Sequence, residues 1–248
     1  MTTGLRGQYG MYTIKTVNTI NDVPRDQWDA LARDNVFMCY AWLKTFEEVS
    51  LIEEGVSYVM VYKENMLQAG TAYIVDESSN AFNIEDILFG RAKRAIRALG
   101  MSFLPAIACG PQRGCGTHFI MRDDLKDDEK KVMLNMLLNT LDVLQRQHGY
   151  ALYFSSVMHH EKMLIDVLKE RGFIKTLGLP INYIDIAWDT FDGYKQYVHK
   201  MSPSTRGGIN HEMKRNKAAG VVLRECDDIM QYHDRLLELL EMNFIKYG

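Results

Sequence analysis

The 248-residue sequence predicts an α/β (α+β) protein: a mixed, largely antiparallel sheet flanked by helices. Three observations predict it. Tyr58–Tyr62 and Gln68–Val75 are β-branched and aromatic runs joined by a short segment containing Asn65, the pattern of an antiparallel hairpin. Met133, Leu134, Leu137, Leu138, Leu141 and Leu144 recur at spacings of three and four, which marks an amphipathic helix. Short apolar runs at Phe103–Cys109 and Ala151–Val157 lie on either side of that helix, so strands and helices interleave. Hydrophobic residues make up 47% and charged residues 25%, enough apolar mass for a core.

Taken in order, MTTGLRGQYGMY reads as a disordered lead without the apolar stretch of a secretory signal. Tyr12–Val17 is the first strand. Asn21 or Asp22 is expected to cap a helix that turns Trp28 and Leu31 inward. A second helix follows Asn35 and runs through Phe46 and Val49, with Trp42 as a core or inter-helix aromatic. After the hairpin, Asp76–Asn80 is polar and turn-like. Ile84–Leu99 is a helix with a basic face of Arg91, Lys93, Arg94 and Arg97, stopped by Gly100. Asp123, Asp124, Asp127, Asp128 and Glu129 open the long helix, where acids complement the helix dipole; they are not read as a metal site. Gly149 ends that helix. A further one starts at His159-His160-Glu161, with Leu164, Val167 and Leu168 inward, and closes at Gly172-Phe173. Phe173–Thr176, Ile181–Trp188 and the residues from Val221 to Arg224 are expected strands.

The balance of −3 argues against a general nucleic-acid coat, and DNA is not an expected partner. No apolar run approaches the ~18–20 residues of a membrane span. Cys39, Cys109, Cys115 and Cys226 lack zinc or redox spacing, which fits thiols in a reducing cytoplasm. Serine-hydrolase order, a Walker loop and a complete HExxH are all missing; His211-Glu212 has no second histidine.

One stretch departs from this balance. Between Gly193 and Lys217 the bases are Lys195, Lys200, Arg206, Lys214, Arg215 and Lys217, against the single acid Glu212. Ser202, Ser204 and Thr205 can cap the following helix, Pro203 suits its first turn and Gly220 its end. At about 100° per residue, Arg206, Asn210, Lys214 and Lys217 fall within roughly 80° of one another. That stripe implies a local anionic partner, or else a solvated surface helix. A second stretch, Gly110 to His118, is glycine-rich. Gly114 and Gly116 let backbone amides approach an anion, or form a structural turn. His118, His159 and His160 are candidates for proton handling.

The order of parts from Tyr194 and Tyr197 through R-x-x-I-x-x-x-x-K-R-x-x-x-A-G-V (Arg206 to Val221) resembles the FemAB-like branch of the GNAT acyltransferase superfamily. Asn35, Phe37, Trp42 and Leu43 match its N-x-F-x-x-x-x-W-L, and LKERGF (Leu168–Phe173) resembles the GNAT ending x-Y-E-K-x-G-F. The resemblance implies two tandem GNAT-like units, residues 1–178 and 179–248, with splayed central strands. The second stops before its central sheet and is therefore expected to be incomplete. It also implies N-acyl transfer from acyl-CoA or aminoacyl-tRNA to an amine of a peptide or cell-wall-precursor-like acceptor, with no covalently bound cofactor. Gly114, Gly116, Arg206, Lys214 and Lys217 would then hold the anionic donor. Two departures stand out: Leu168 replaces the usual tyrosine, and Pro111 stands where the phosphate loop carries Arg or Gln. A non-catalytic binding module for an anionic ligand or partner protein is the alternative, and an RNA-binding module the third. The acyl group and the oligomeric state are left open.

Overall fold

The structure, a computed structural model, describes residues 11–49, 55–77, 89–100, 103–110, 118–176, 186, 188–201, 203–222, 224 and 226–247. The chain forms two compact units, Met1–Pro180 and Ile181–Gly248. The boundary expected at 178/179 lies outside the described residues.

The first unit is built on a mixed sheet. Strand β1 (Tyr12–Val17) pairs antiparallel with β2 (Ser57–Lys63), and β2 with β3 (Met66–Asp76). The β2–β3 turn is the expected hairpin, with Glu64 at φ 50° and Asn65 at φ 66°; two left-handed residues give the turn whose twist suits paired strands. Strand β4 (Ala106–Cys109) pairs antiparallel with the far end of β3, from Tyr73↔Cys109 to Asp76↔Ala106. Two-residue β5 (Ile120–Met121) pairs with the near end, at Gly70 and Ala69. Strand β6 (Ala151–Phe154) lies parallel to β4 in register Ala106↔Ala151 to Cys109↔Phe154. That pairing requires a crossover, and the long helix supplies it.

Alternation along β2 divides the core. Tyr58 and Met60 face one side, where α1 (Arg25–Ala32), the 3-10 turn Val36–Met38 and α2 (Tyr40–Glu48) bring Trp28, Leu31, Met38, Leu43 and Phe46. Val59 and Val61 face the other, under the crossover helix and the helix that follows β6. Trp28 is fully buried, donates Nε1–H to the Met38 carbonyl at 2.6 Å, and meets Tyr58 edge-on at 5.6 Å. Its ring lies over Gly70, where an added Cβ would come 2.6 Å from Cζ3. Glu47 ties α2 to the sheet by accepting from Thr19 Oγ1, the Ile20 amide and the Tyr58 hydroxyl. Burial, and then that carboxylate, push the Tyr58 phenol well above its ordinary value.

Helix α3 (Lys93–Ala98) continues a 3-10 turn at Gly90–Ala92, and Gly100 at φ 74° follows it. Residues 84–88 of the expected helix lie outside the described residues. Helix α4 (Asp127–His148) buries Met133, Leu134, Leu137, Leu138 and Leu141, and Gly149 ends it in the left-handed conformation as expected. Helix α5 (Lys162–Glu170) buries Leu164, Val167 and Leu168.

The second unit contains α6 (Phe191–Met201), α7 (Pro203–Ala218) and α8 (His233–Tyr247). Pro203 opens α7, and Gly220 at φ 69° stands beyond its end. Trp188 packs on Tyr194 and Tyr197, each with ring centroids at 5.0 Å.

Several local expectations are corrected. The turn at Ile20–Asp22 is a 3-10 helix capped by Thr19, and α1 begins after Pro24. Asp76 is a fully buried strand residue, because β3 extends to pair with β4. Asp123 and Asp124 precede α4 and pair with Arg33 and Arg122 instead. Residues 173–176 form no strand, nor do the described residues among 221–224. Of 181–188 only 186 and 188 are described, and neither is in a strand. The lead at 1–10 lies outside the described residues.

Candidate functional site

The place where this sheet stops being continuous lies beyond the last parallel pair, Cys109↔Phe154. From Gly110 the chain leaves β3, and it returns to β3 at Ile120. Both ends of the excursion are tied to neighbouring residues of β3. The Gly110 amide donates to the Ala72 carbonyl at 3.0 Å, and Thr71 Oγ1 donates to the His118 carbonyl at 2.8 Å.

The His118 side chain fills the opening between the two strands. On one side, Gly110 lies so close that an added Cβ would be 2.2 Å from His118 Cδ2. Gly110 also has φ 122°, so both its backbone and its surroundings demand glycine. On the other side, Nε2 lies 2.6 Å from the carbonyl oxygen of Ser155. Gly110 and Ser155 are the residues immediately after the last paired strand residues, so the imidazole sits as a wedge between them. Phe154 meets the ring edge-on at 6.0 Å, and His118 is fully buried.

Glu161, just before α5, holds the wedge. Its Oε1 accepts from the His118 amide at 3.1 Å and lies 3.2 Å from Nδ1; its Oε2 accepts from the Met158 amide at 2.8 Å. Because Ser155 offers only a carbonyl oxygen, Nε2 carries a proton and donates it, while Nδ1 faces the Glu161 carboxylate. Burial pushes the Glu161 carboxyl up, but the hydrogen bond and charge of His118, with the two backbone amides, hold it below its ordinary value. Both ring nitrogens of His118 are thus engaged within the protein.

Other groups near this opening are quiet chemically. Cys109 Sγ lies 3.3 Å from Thr71 Oγ1 and is buried; burial pushes its thiol up to about 12 despite that bond, so no thiolate nucleophile forms at neutral pH. Tyr153 donates its hydroxyl to buried Asp76 at 3.3 Å, on the opposite face of β6, and burial pushes that phenol far up.

His159 and His160 are exposed in the turn between β6 and α5, with ring centroids 5.6 Å apart. The fold therefore brings all three candidate histidines to one turn region, but only His118 is built into a hydrogen-bond network. Gly114 and Gly116 lie outside the described residues. Arg206, Lys214 and Lys217 all lie in α7 of the second unit; Lys214 and Lys217 are exposed, and Arg215 pairs loosely with Glu212 at 3.9 Å. Leu168, in the position the resemblance gives to tyrosine, is buried on α5. Sequence reasoning placed Glu161 only at the start of a helix and missed its partnership with His118. A carboxylate at the head of a helix was the available signal. Asp76 was missed because its polar neighbours made it look like a turn.

Two concavities open elsewhere on the first unit. One of about 640 Å³ is lined by Gln27, Leu31, Arg33, Met66, Arg122 and Asp124 among others. The other, about 340 Å³, lies around Asp142, Arg146 and Arg171. Arg171 there donates to Asp142 and Asn139 at 2.7 Å each and to Asn135 at 2.8 Å, a bonding set that ties α5 to α4. Among the described residues no group of three or more His, Cys, Asp or Glu is placed to share a metal ion, and no helix is long and apolar enough to cross a membrane.

No protein-family model matches this sequence, and no curated protein matches it significantly.

Proposed function

We propose that this protein is an N-acyltransferase of FemAB/GNAT type, moving an acyl or aminoacyl group from acyl-CoA or aminoacyl-tRNA to an amine of a peptide or cell-wall-precursor-like acceptor. The observation that carries the reading is the parallel β4–β6 pair. It is the one parallel pairing among the described strands, and the two strands part after Cys109 and Phe154. Beyond a parting of parallel strands, backbone amides and carbonyls can bind an amide-rich donor and meet a developing oxyanion; here the His118 ring occupies the opening and would have to swing aside for a donor to enter. In the transfer, the neutral amine attacks the acyl carbonyl, the thiolate or ribose oxygen departs, and the amine's proton leaves with it or to water. Arg206, Lys214 and Lys217 would hold the donor's phosphates. The reading takes residues 179–248 as a second, GNAT-like unit.

A specific observation favours a second reading, a non-catalytic module of the same fold that binds an anionic ligand or partner protein. The His118 ring covers the Ser155 carbonyl in the very opening a donor would use, and Leu168 offers no proton to a leaving group.

Calorimetric titration of the whole protein with acyl-CoA and aminoacyl-tRNA, followed by turnover with an amine-bearing peptide, separates the two. The transferase reading expects donor binding and release of free thiol or tRNA. Arg206→Ala combined with Lys214→Ala is expected to abolish donor binding while leaving Tm nearly unchanged, since Lys214 is exposed. Binding without turnover selects the second reading; no binding of either donor rejects the first.

A further inference from the structure

The helical turn pair Gly90–Ala98 buries none of its residues in either core cluster. Nine helical residues are too few to persist in water on propensity alone, so contacts from outside the segment hold it, and an external surface is one source of them. Its charge names the kind of surface. From Ile87 to Arg122 the sequence contains no Asp or Glu, while Arg91, Lys93, Arg94 and Arg97 crowd the helix. Arg91 and Arg94 are exposed, and Lys93 and Arg97 have contacts of their own.

The two faces differ. At about 100° per residue, Lys93, Arg97 and Arg94 span one arc of about 100°, and Ile96 and Leu99 lie on the adjoining arc, which begins about 60° from Lys93. Ala92, Ala95 and Ala98 are exposed as well, and Leu99 is 73% exposed. A nucleic acid would use the basic arc and leave the leucine in water. An anionic bilayer takes both: phosphates and carboxylates of the headgroups meet the arginines while the leucine enters the acyl boundary.

We propose that Gly90–Leu99 is a membrane-surface element that lays this protein on anionic lipid without spanning it. The inference is independent of acyl transfer and is tested without it. The whole protein is sedimented with vesicles of equimolar phosphatidylcholine and phosphatidylserine, and with pure phosphatidylcholine. Binding is expected to the first, to fall with added salt, and to be far weaker to the second. Each basic residue near such a surface is worth about fivefold, so Arg91→Ala with Arg94→Ala is expected to weaken partitioning about thirtyfold. Leu99→Trp supplies a second readout at an exposed position, namely quenching by brominated acyl chains only when the lipid is anionic. Equal binding to neutral vesicles, no binding to anionic ones, an unaffected arginine variant, or binding to RNA but not to vesicles each overturns the proposal.

Discussion

At the scale of single residues, His118 and Glu161 dominate. A half-buried carboxylate that accepts from two amides and faces an imidazole loses several contacts at once if replaced. Glu161→Gln is expected to destabilise the fold by about 1.5–3 kcal/mol at pH 7, the range for hydrogen bonds to charged groups. The direction with pH follows from its depressed titration. A folded-state value below the unfolded one adds stability that is full above the ordinary glutamate value of about 4.3 and disappears as pH falls through the folded value. Denaturant melts of wild type and Glu161→Gln should therefore converge in acid below pH ~4; a gap that stays constant there would contradict the assignment. Gly70 makes a second residue-scale case. Gly70→Ala pushes a methyl into Trp28 and is expected to cost about 1–3 kcal/mol. Trimming the ring with Trp28→Phe should relieve part of that clash, so the double variant is expected to be more stable than the two single costs would sum to. Strict additivity in the cycle would show that the contact is not what makes glycine necessary.

At the scale of elements, local chemistry and fold agree in some places and conflict in others. The β2–β3 turn demands two left-handed residues, and Glu64 suits that poorly while Asn65 suits it well. Glu64→Asn together with Asn65→Gly is expected to raise stability by up to about 1 kcal/mol, seen as a higher denaturant midpoint at unchanged slope. A lower midpoint would mean that Glu64 has a contact the turn needs. The hairpin, α4 and its glycine stop were legible because each is a repeat or a turn written in neighbouring residues. The ends of β3 and α4 were not. Asp76 sits beside polar residues, yet it is a strand residue because Ala106 pairs with it from 30 positions away in sequence (106 minus 76). Asp123 and Asp124 lie in an acidic run, yet arginines at 33 and 122 take them before the helix starts.

At the scale of the whole molecule, every described residue of the two core clusters lies between Tyr12 and Phe173, inside the first unit. A chain of residues 1–180 is therefore expected to fold alone and to melt within a few degrees of the full chain's first-unit transition. Loss of cooperative unfolding in that fragment would show that residues beyond 180 complete the core. The donor-binding and vesicle experiments act at this scale as well, because they ask whether the basic segments of the two units serve a common chemistry or separate ones.

Composition, periodicity and turn chemistry determined by themselves that this chain combines strands with helices, that it has an antiparallel hairpin and a long amphipathic helix, and that it carries two basic helical segments. These follow from interactions within a few residues of one another. Only the tertiary structure decided that β4 and β6 run parallel, that they part at Cys109 and Phe154, and that His118 fills the opening under the hold of Glu161. His118 and Glu161 are 43 residues apart, and their contact exists only once the crossover helix has carried β6 back beside β4. No local pattern encodes a meeting that depends on where two distant strands end.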